Sequence, residues 1–365
     1  MSALAQLLLE TSADPLHHAR AHAQSGGRVI GIVGAEVPVE LVIAAGAMPV
    51  VLPAFPQEPT PNADRHLEPA FTPRLRSITE QWLRGQLDFM EAVIFTRADD
   101  SAQRCYYYLC ELRRRGEARG PVPLIFDIAK IPRPSSLAHS LAATRALAEA
   151  LSSDFGRLPA AIAMRDRRRL LFQRLDLLRR SDRAPPGYDC ERLLRLADAI
   201  PAERFDGELD AWLSGEFPRH EGPRMLLIGS TPPDARLHEA VAQAGGCIVA
   251  EMDDGGTDQL GPLIGAPADP LAALAHHYHS LGFGPRAFDD RGARLTTRLT
   301  RSSAGAVISW LIEEDEASAW QVPAMTAVLA EARIPVLSMT RRRWDGRDGA
   351  LEDIATFTLG LRNRS

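Results

Sequence analysis

Acidic side chains gather where short apolar runs end. Arg97-Ala98-Asp99-Asp100-Ser101 follows the run Ala92–Phe95, and Glu313-Glu314-Asp315-Glu316 follows Ala306–Ser309 and a short bridge. Gly34-Ala35-Glu36-Val37-Pro38 follows a third run, Val29–Val33. Two chemistries fit acids so placed. They cap the helix that comes next and complement its dipole, or they face a cleft, where they hold a hard cation or work as acid and base. Gly229-Ser230-Thr231-Pro232-Pro233-Asp234 is likewise either a capped turn or a row of backbone N–H groups offered to an anion. It has neither GxGxxG nor a Walker pattern.

The remaining chemistry-bearing residues are less pointed. Arginine triplets at Arg113–Arg115, Arg167–Arg169 and Arg341–Arg343 read as solvated helix faces. Arg341–Arg343 follows a strand end, which gives it a claim on a phosphate-bearing ligand. His17, His18, His276, His277 and His279 cluster without HExxH or other zinc spacing, so surface or capping roles are expected and no metal site. No GxSxG elbow or Ser/His/Asp arrangement is present.

What positions these groups is an alternation of strands and helices. Strands are expected at Val29–Val33, Pro49–Leu52, Ala92–Phe95 and Val122–Phe126, with helices at Val37–Ala47, Leu75–Leu87 and Ala102–Arg115. This is the pattern of a parallel sheet covered on both faces. From Ser135 to about Phe217, Leu/Ala/Arg segments of helical spacing take over, broken at Pro185-Pro186-Gly187. The first pattern then returns: strands at Met225–Ile228, Cys247–Ala250, Ala306–Ser309 and Val336–Met339, helices at Leu237–Ala244 and Val322–Glu331. Three blocks repeat in order: Arg28–Gly34 with Arg224–Gly229, Ala45–Val51 with Ala244–Val249, and Glu91–Phe95 with Gly305–Ser309. The expected fold is α/β, with two Rossmann-like (flavodoxin-like) parallel-sheet halves joined by a helical connector. The expected segments are an N-terminal helical stretch (1–25), a first domain (26–134), the connector (135–220) and a second domain (221–365). Ligands of open α/β sheets bind beyond the carboxyl ends of the strands. The two acidic clusters therefore fall at equivalent places, and one shared, charge-balanced cluster containing Asp99 and Asp315 competes with two separate caps. Arg97 and Arg341–Arg343 are the candidate counter-charges for a shared cluster.

Composition narrows the function classes. Among 365 residues, 45% are hydrophobic and 24% charged, which excludes a disordered chain, a collagen and a rod. The formal charge is −5, so nucleic acid is not an expected partner. Lys130 is the sole lysine. No apolar run of about 18 residues and no secretory leader is found, so no membrane association is expected. Cys105, Cys110, Cys190 and Cys247 form no CxxC pair and read as reduced thiols of a cytoplasmic protein.

The segment Val37-Pro38-Val39-Glu40-Leu41-Val42-Ile43-Ala44-Ala45-Gly46-Ala47-Met48-Pro49 resembles the Pro-Glu-Glu-Leu-Ile-x-Ala-Ala-Gly-x-x-Pro block of the 2-hydroxyacyl-CoA dehydratase and benzoyl-CoA reductase subunit family. Further blocks follow in the family's order. Asp100-Ser101 is similar to its Cys-Asp-Ser segment, Met164–Arg180 and Pro185–Leu196 to its Arg-rich helix and Pro-Pro step, Gly229–Asp234 to its Gly-Ser-x-x-Pro-Asp loop, and Ala332–Leu337 to its Gly-Ile-Pro-Val-Leu strand. The resemblance implies a dimeric assembly acting on a CoA thioester, with a [4Fe–4S] cluster on three cysteines. At the three corresponding positions stand Gly34, Asp99 and Asp315, with Gln321 where an acid is usual. The implied protein is a divergent member that has kept the cleft and carries no cluster. It would pair with a cluster-bearing homologous subunit, or with itself, and bind or shape an acyl-CoA site. Glu36, Asp99 and Asp315 are then the candidate catalytic groups. Gly34, Pro38, Asp100, Ser101, Ser230, Gln321 and Arg341 are candidates for ligand contact. Two alternatives stay open: a non-redox enzyme using the cleft carboxylates on an acyl-CoA or related acid, and a non-catalytic scaffold.

Overall fold

The computed structural model describes residues 2–253, 255–282 and 289–363. Eight strands form two sheets. β1 (Arg28–Val33), β2 (Ala47–Val51), β3 (Ala92–Thr96) and β4 (Val122–Phe126) are ordered β2-β1-β3-β4. β5 (Arg224–Gly229), β6 (Cys247–Met252), β7 (Ala306–Ile312) and β8 (Val336–Arg342) are ordered β6-β5-β7-β8. Every pairing is parallel. The same order in both halves bears out the α/β fold expected from the repeat.

The central strands are buried on both faces, which is why they read as unbroken Val/Ile/Leu runs rather than as alternation. The first sheet lies between two apolar clusters, one around Ile30, Ile32 and Ile94, the other around Val33, Val93 and Phe95. The second sheet is likewise enclosed, with Met225 and Leu227 on one face and Leu226 and Ile228 on the other.

Each half turns its first strand into the following loop at a glycine with positive φ. Gly34 has φ +91° and Gly229 has φ +106°. An added Cβ would come within 2.3 Å of Thr96 Cγ2 at Gly34 and within 2.3 Å of the Trp310 carbonyl oxygen at Gly229. Counted from these glycines, Ile30 opposite Ala92 corresponds to Met225 opposite Ala306. The helix expected over Val37–Ala47 is shorter, Val39–Ala44, because Gly46 at φ +72° ends it before β2 begins.

Four helices lie between the sheets in sequence: Pro134–Ala150, Leu158–Arg179, Gly187–Leu196 and Ala202–Leu213. The last three, with the N-terminal helix Ala3–Ala13, enclose a third apolar core around Phe172, Leu193 and Phe205. Among the helices not anticipated are Pro270–Ser280, Arg291–Ser302 and Ala350–Arg362. The first starts at the N-cap Asp269, whose side chain accepts from Ala272 N. It follows β6 in sequence, yet Leu271, Leu274 and Tyr278 pack in the first half's core with Ile30, Val42 and Ile94. Packing thus does not follow a cut at residue 221.

Candidate functional site

A cleft of about 320 Å³ lies where the strand ends of the two halves meet. Gly34, Glu36 and Asp99 line it from the first half, Thr231–Asp234, His238 and Glu251 from the second, and Arg165, Arg168 and Arg169 from the long helix Leu158–Arg179. The carboxyl-end rule therefore located the cleft, while most of the charge in it was not foreseen.

Glu36 sits at φ +62°, an uncommon backbone for a residue with a Cβ. Its carboxylate accepts from Lys130 Nζ at 3.0 Å, both side chains being almost fully buried. Lys130 comes from the loop after β4 and also donates to the Tyr278 carbonyl at 2.8 Å. Burial pulls the ammonium below its ordinary pKa, and Glu36 opposes that pull. The chain's single lysine thus ties the loop after β1 to the helix Pro270–Ser280.

One turn further on, Glu40 is fully buried. Arg169 Nη2 donates to it at 2.6 Å and the Tyr278 hydroxyl at 2.8 Å. Burial pushes its carboxyl up, but Arg169 and Arg165 outweigh that and hold it below the usual carboxylate range. Arg169 also donates to Asp166 at 2.9 Å and to the Leu260 carbonyl at 2.9 Å. His277 Nε2 lies 3.3 Å from Arg169 Nη2. Burial first, then Arg169, lowers His277 to about 4. Arg165 and Arg168 share Asp198 at 2.6 and 2.7 Å. The triplet Arg167–Arg169 is therefore not simply a solvated face, because Arg168 and Arg169 are each only 3% exposed.

The second half has its own buried set. Arg179, with no exposed surface, donates to both Glu251 oxygens at 2.7 and 2.6 Å. Glu251 also lies 3.0 Å from His238 Nε2. Burial raises the Glu251 carboxyl, and Arg179 and His238 override it, leaving it well below the ordinary range.

The acids singled out by spacing have local duties. Asp99 caps the helix Asp100–Arg114, accepting from Ser101 N at 2.8 Å and Ala102 N at 3.3 Å. Burial raises its carboxyl above the usual range, with the capping bonds opposing. Asp315 caps the short helix Glu316–Ala319 through Ser318 N at 3.0 Å and accepts from the Ser230 hydroxyl at 2.6 Å. Asp99 and Asp315 share no hydrogen-bond partner. The expected counter-charges are engaged elsewhere: Arg97 with Asp127, Arg341 with Glu313, Arg342 with Asp353 and Arg343 with Asp345. The structure thus gives separate caps in place of a single charge-balanced cluster. Of the ten candidates, Gly34, Glu36 and Asp99 line the cleft. Pro38, Asp100, Ser101, Ser230, Asp315, Gln321 and Arg341 are not among the described residues that do.

No cysteine sits at the carboxyl end of a strand. Cys105 lies inside the helix Asp100–Arg114, 3.4 Å from the Thr79 hydroxyl, and burial pushes its thiol to about 12. Cys247 opens β6, at the end remote from the strand termini of the cleft, and Cys190 is buried in the connector. Among the described residues, no group of three or more His, Cys, Asp or Glu side chains is placed to hold a metal ion. No helix there is long and apolar enough to cross a membrane.

Sequence spacing missed Glu40, Lys130, Arg165, Arg169, His238 and Glu251. One signal was available: a lone lysine, and acids at 40 and 251 inside otherwise apolar segments, must be paired if those segments are buried. No curated protein matches the chain. A family model does, that of the 2-hydroxyglutaryl-CoA dehydratase D-component, over residues 35–356. With that match running from the loop after β1 through the connector and the second sheet, over well above half of the chain, the chain belongs to the 2-hydroxyglutaryl-CoA dehydratase D-component family.

Proposed function

We propose that this chain is a cluster-free component of a 2-hydroxyacyl-CoA dehydratase-like assembly. It holds or shapes the pocket for an acyl-CoA thioester beside a homologous subunit that carries the cluster. The observation that carries this reading is the donor set at the three strand-end positions. Iron–sulfur clusters are held by thiolates. Gly34 has no side chain, the Asp99 carboxylate is spent on its helix cap, and that of Asp315 on Ser230 and Ser318. These residues do not fit a cluster, and the nearest thiol along the chain, Cys105, is buried and held in its protonated form at neutral pH. The family match over residues 35–356 supports this reading. Four free thiols support a reading in a reducing compartment such as the cytoplasm.

In this role the chain's own groups supply shape and electrostatics. Glu36–Lys130 and Glu40–Arg169 fix the strand-end loop and the helix behind it, so the cleft is rigid before a ligand arrives. The competing reading, acid/base catalysis by Glu36, Asp99 and Asp315, has less support because each carboxylate is already committed. Anaerobic reconstitution of the isolated chain with ferrous iron and sulfide tests the reading. No stoichiometric iron or acid-labile sulfide is expected, and one full cluster per chain overturns it. Calorimetric titration with 2-hydroxyglutaryl-CoA tests the ligand.

A further inference from the structure

His238 is 1% exposed and lines the cleft, in the first turn of the helix Arg236–Gln243. Its Nε2 lies 3.0 Å from Glu251 Oε1. A carboxylate held by both guanidinium nitrogens of Arg179 stays ionised and only accepts, so the proton of this bond sits on the histidine. Nδ1 is therefore left with a lone pair, and it has no hydrogen-bond partner among the described residues. A buried acceptor without a partner is unfavourable and calls for a ligand or water. Thr231 and Trp344 line the same cleft and are joined through Trp344 Nε1 and the Thr231 carbonyl at 3.4 Å.

We propose that His238 Nδ1 is the acceptor for a hydroxyl group of the bound ligand. Arg179 and Glu251 are the positioning residues that fix its tautomer. The inference rests on the thioester reading above for the identity of the ligand, and it adds which residue tells a hydroxylated acyl chain from its deoxy counterpart. No covalent step is involved. The imidazole accepts a hydrogen bond, and in doing so makes the hydroxyl oxygen more electron-rich.

The test has two arms. Nitrogen-15 spectra of the histidine-labelled wild-type protein report the tautomer, and a protonated Nε2 with bare Nδ1 is expected at neutral pH. Protonation at Nδ1 in the free protein overturns the proposal without any variant being made. In the second arm, 2-hydroxyglutaryl-CoA and glutaryl-CoA are titrated into wild type and His238→Gln, both first checked for an unchanged circular dichroism spectrum. The variant is expected to lose roughly 3- to 10-fold in affinity for the hydroxy ester, the size of one neutral hydrogen bond, and to bind the deoxy ester as wild type does. Equal loss for both esters overturns the inference and leaves the thioester reading standing. Failure of wild type to bind either ester overturns both.

Discussion

The long helix Leu158–Arg179 carries two buried charge stations, one for each half. Arg169 reaches Glu40 of the first half, and ten residues on, about 15 Å along the axis, Arg179 reaches Glu251 of the second. The stations are built differently. Arg169 spreads its donors over Glu40, Asp166 and a carbonyl, with Tyr278 supporting the acid. Arg179 puts both terminal nitrogens on one acid, with Nη2 also donating to the Ile248 carbonyl at 3.1 Å. Arg169 keeps one acid when the other is removed, whereas Arg179 has a single acid to lose. The comparison teaches where the molecule is brittle: in the second half, beneath the wall that holds His238.

That contrast can be broken most directly by removing one member of each station. Arg179→Met leaves the Glu251 carboxylate buried with only His238 beside it, and a loss of roughly 3–5 kcal/mol is expected in urea unfolding. Glu40→Gln keeps an acceptor for Tyr278 and leaves Arg169 its bond to Asp166, so a loss of about 1–3 kcal/mol is expected. Equal losses would remove the distinction.

A second difference is pH. His277 belongs to the first station, and its folded-state pKa of about 4 lies below the 6.5 of the unfolded chain. The fold therefore favours the neutral ring. Its contribution is complete above pH 6.5 and declines as pH falls towards 4, by up to roughly 3 kcal/mol at about 1.36 kcal/mol per unit. Stability curves of wild type and His277→Gln measured between pH 7 and 4 should diverge by an amount that depends on pH in this window. A constant offset would show that the ring titrates alike in both states.

The paired glycines give a sharper and smaller test. Gly229→Ala sets a methyl against the Trp310 carbonyl of β7, which is fixed by the sheet, and roughly 2–4 kcal/mol is expected. Gly34→Ala meets the methyl of Thr96, a side chain that can turn, and about 1–2 kcal/mol is expected. Reversal of this order in thermal unfolding would contradict the equivalence drawn from the register.

The smallest effects belong to the two caps. Asp99→Ala and Asp315→Ala should each cost about 1 kcal/mol and add within roughly 0.5 kcal/mol in the double variant. Coupling well beyond that would restore a shared acidic cluster.

Much of the architecture was legible because burial on both faces writes strands as apolar runs. The expected strands Ala92–Phe95 and Ala306–Ser309 fall within β3 and β7, which are buried along their whole length. The pairing of Ile30 with Ala92 and Met225 with Ala306 is counted from the strand-end glycines, a frame that the arginines opening each block do not share. Asp99 and Asp315 were visible as caps because capping is local, three residues or fewer from donor to acceptor. The Glu36–Lys130 and Arg179–Glu251 pairs were not visible, because each joins residues more than seventy positions apart and no period in the sequence marks such a meeting. The helix Pro270–Ser280 escaped for a related reason. Its apolar residues answer to a sheet from the other end of the chain.

That helix also sets an order in time. During synthesis the first sheet is complete once β4 has left the ribosome, but Leu271, Leu274 and Tyr278 arrive only after the whole connector and two strands of the second sheet. At roughly 5–20 residues per second the interval lasts on the order of ten seconds. Over that interval part of the first half's apolar surface lacks its cover, and the Lys130 ammonium lacks the Tyr278 carbonyl it will later meet. The nascent first half thus stays incompletely covered until its last helix is made.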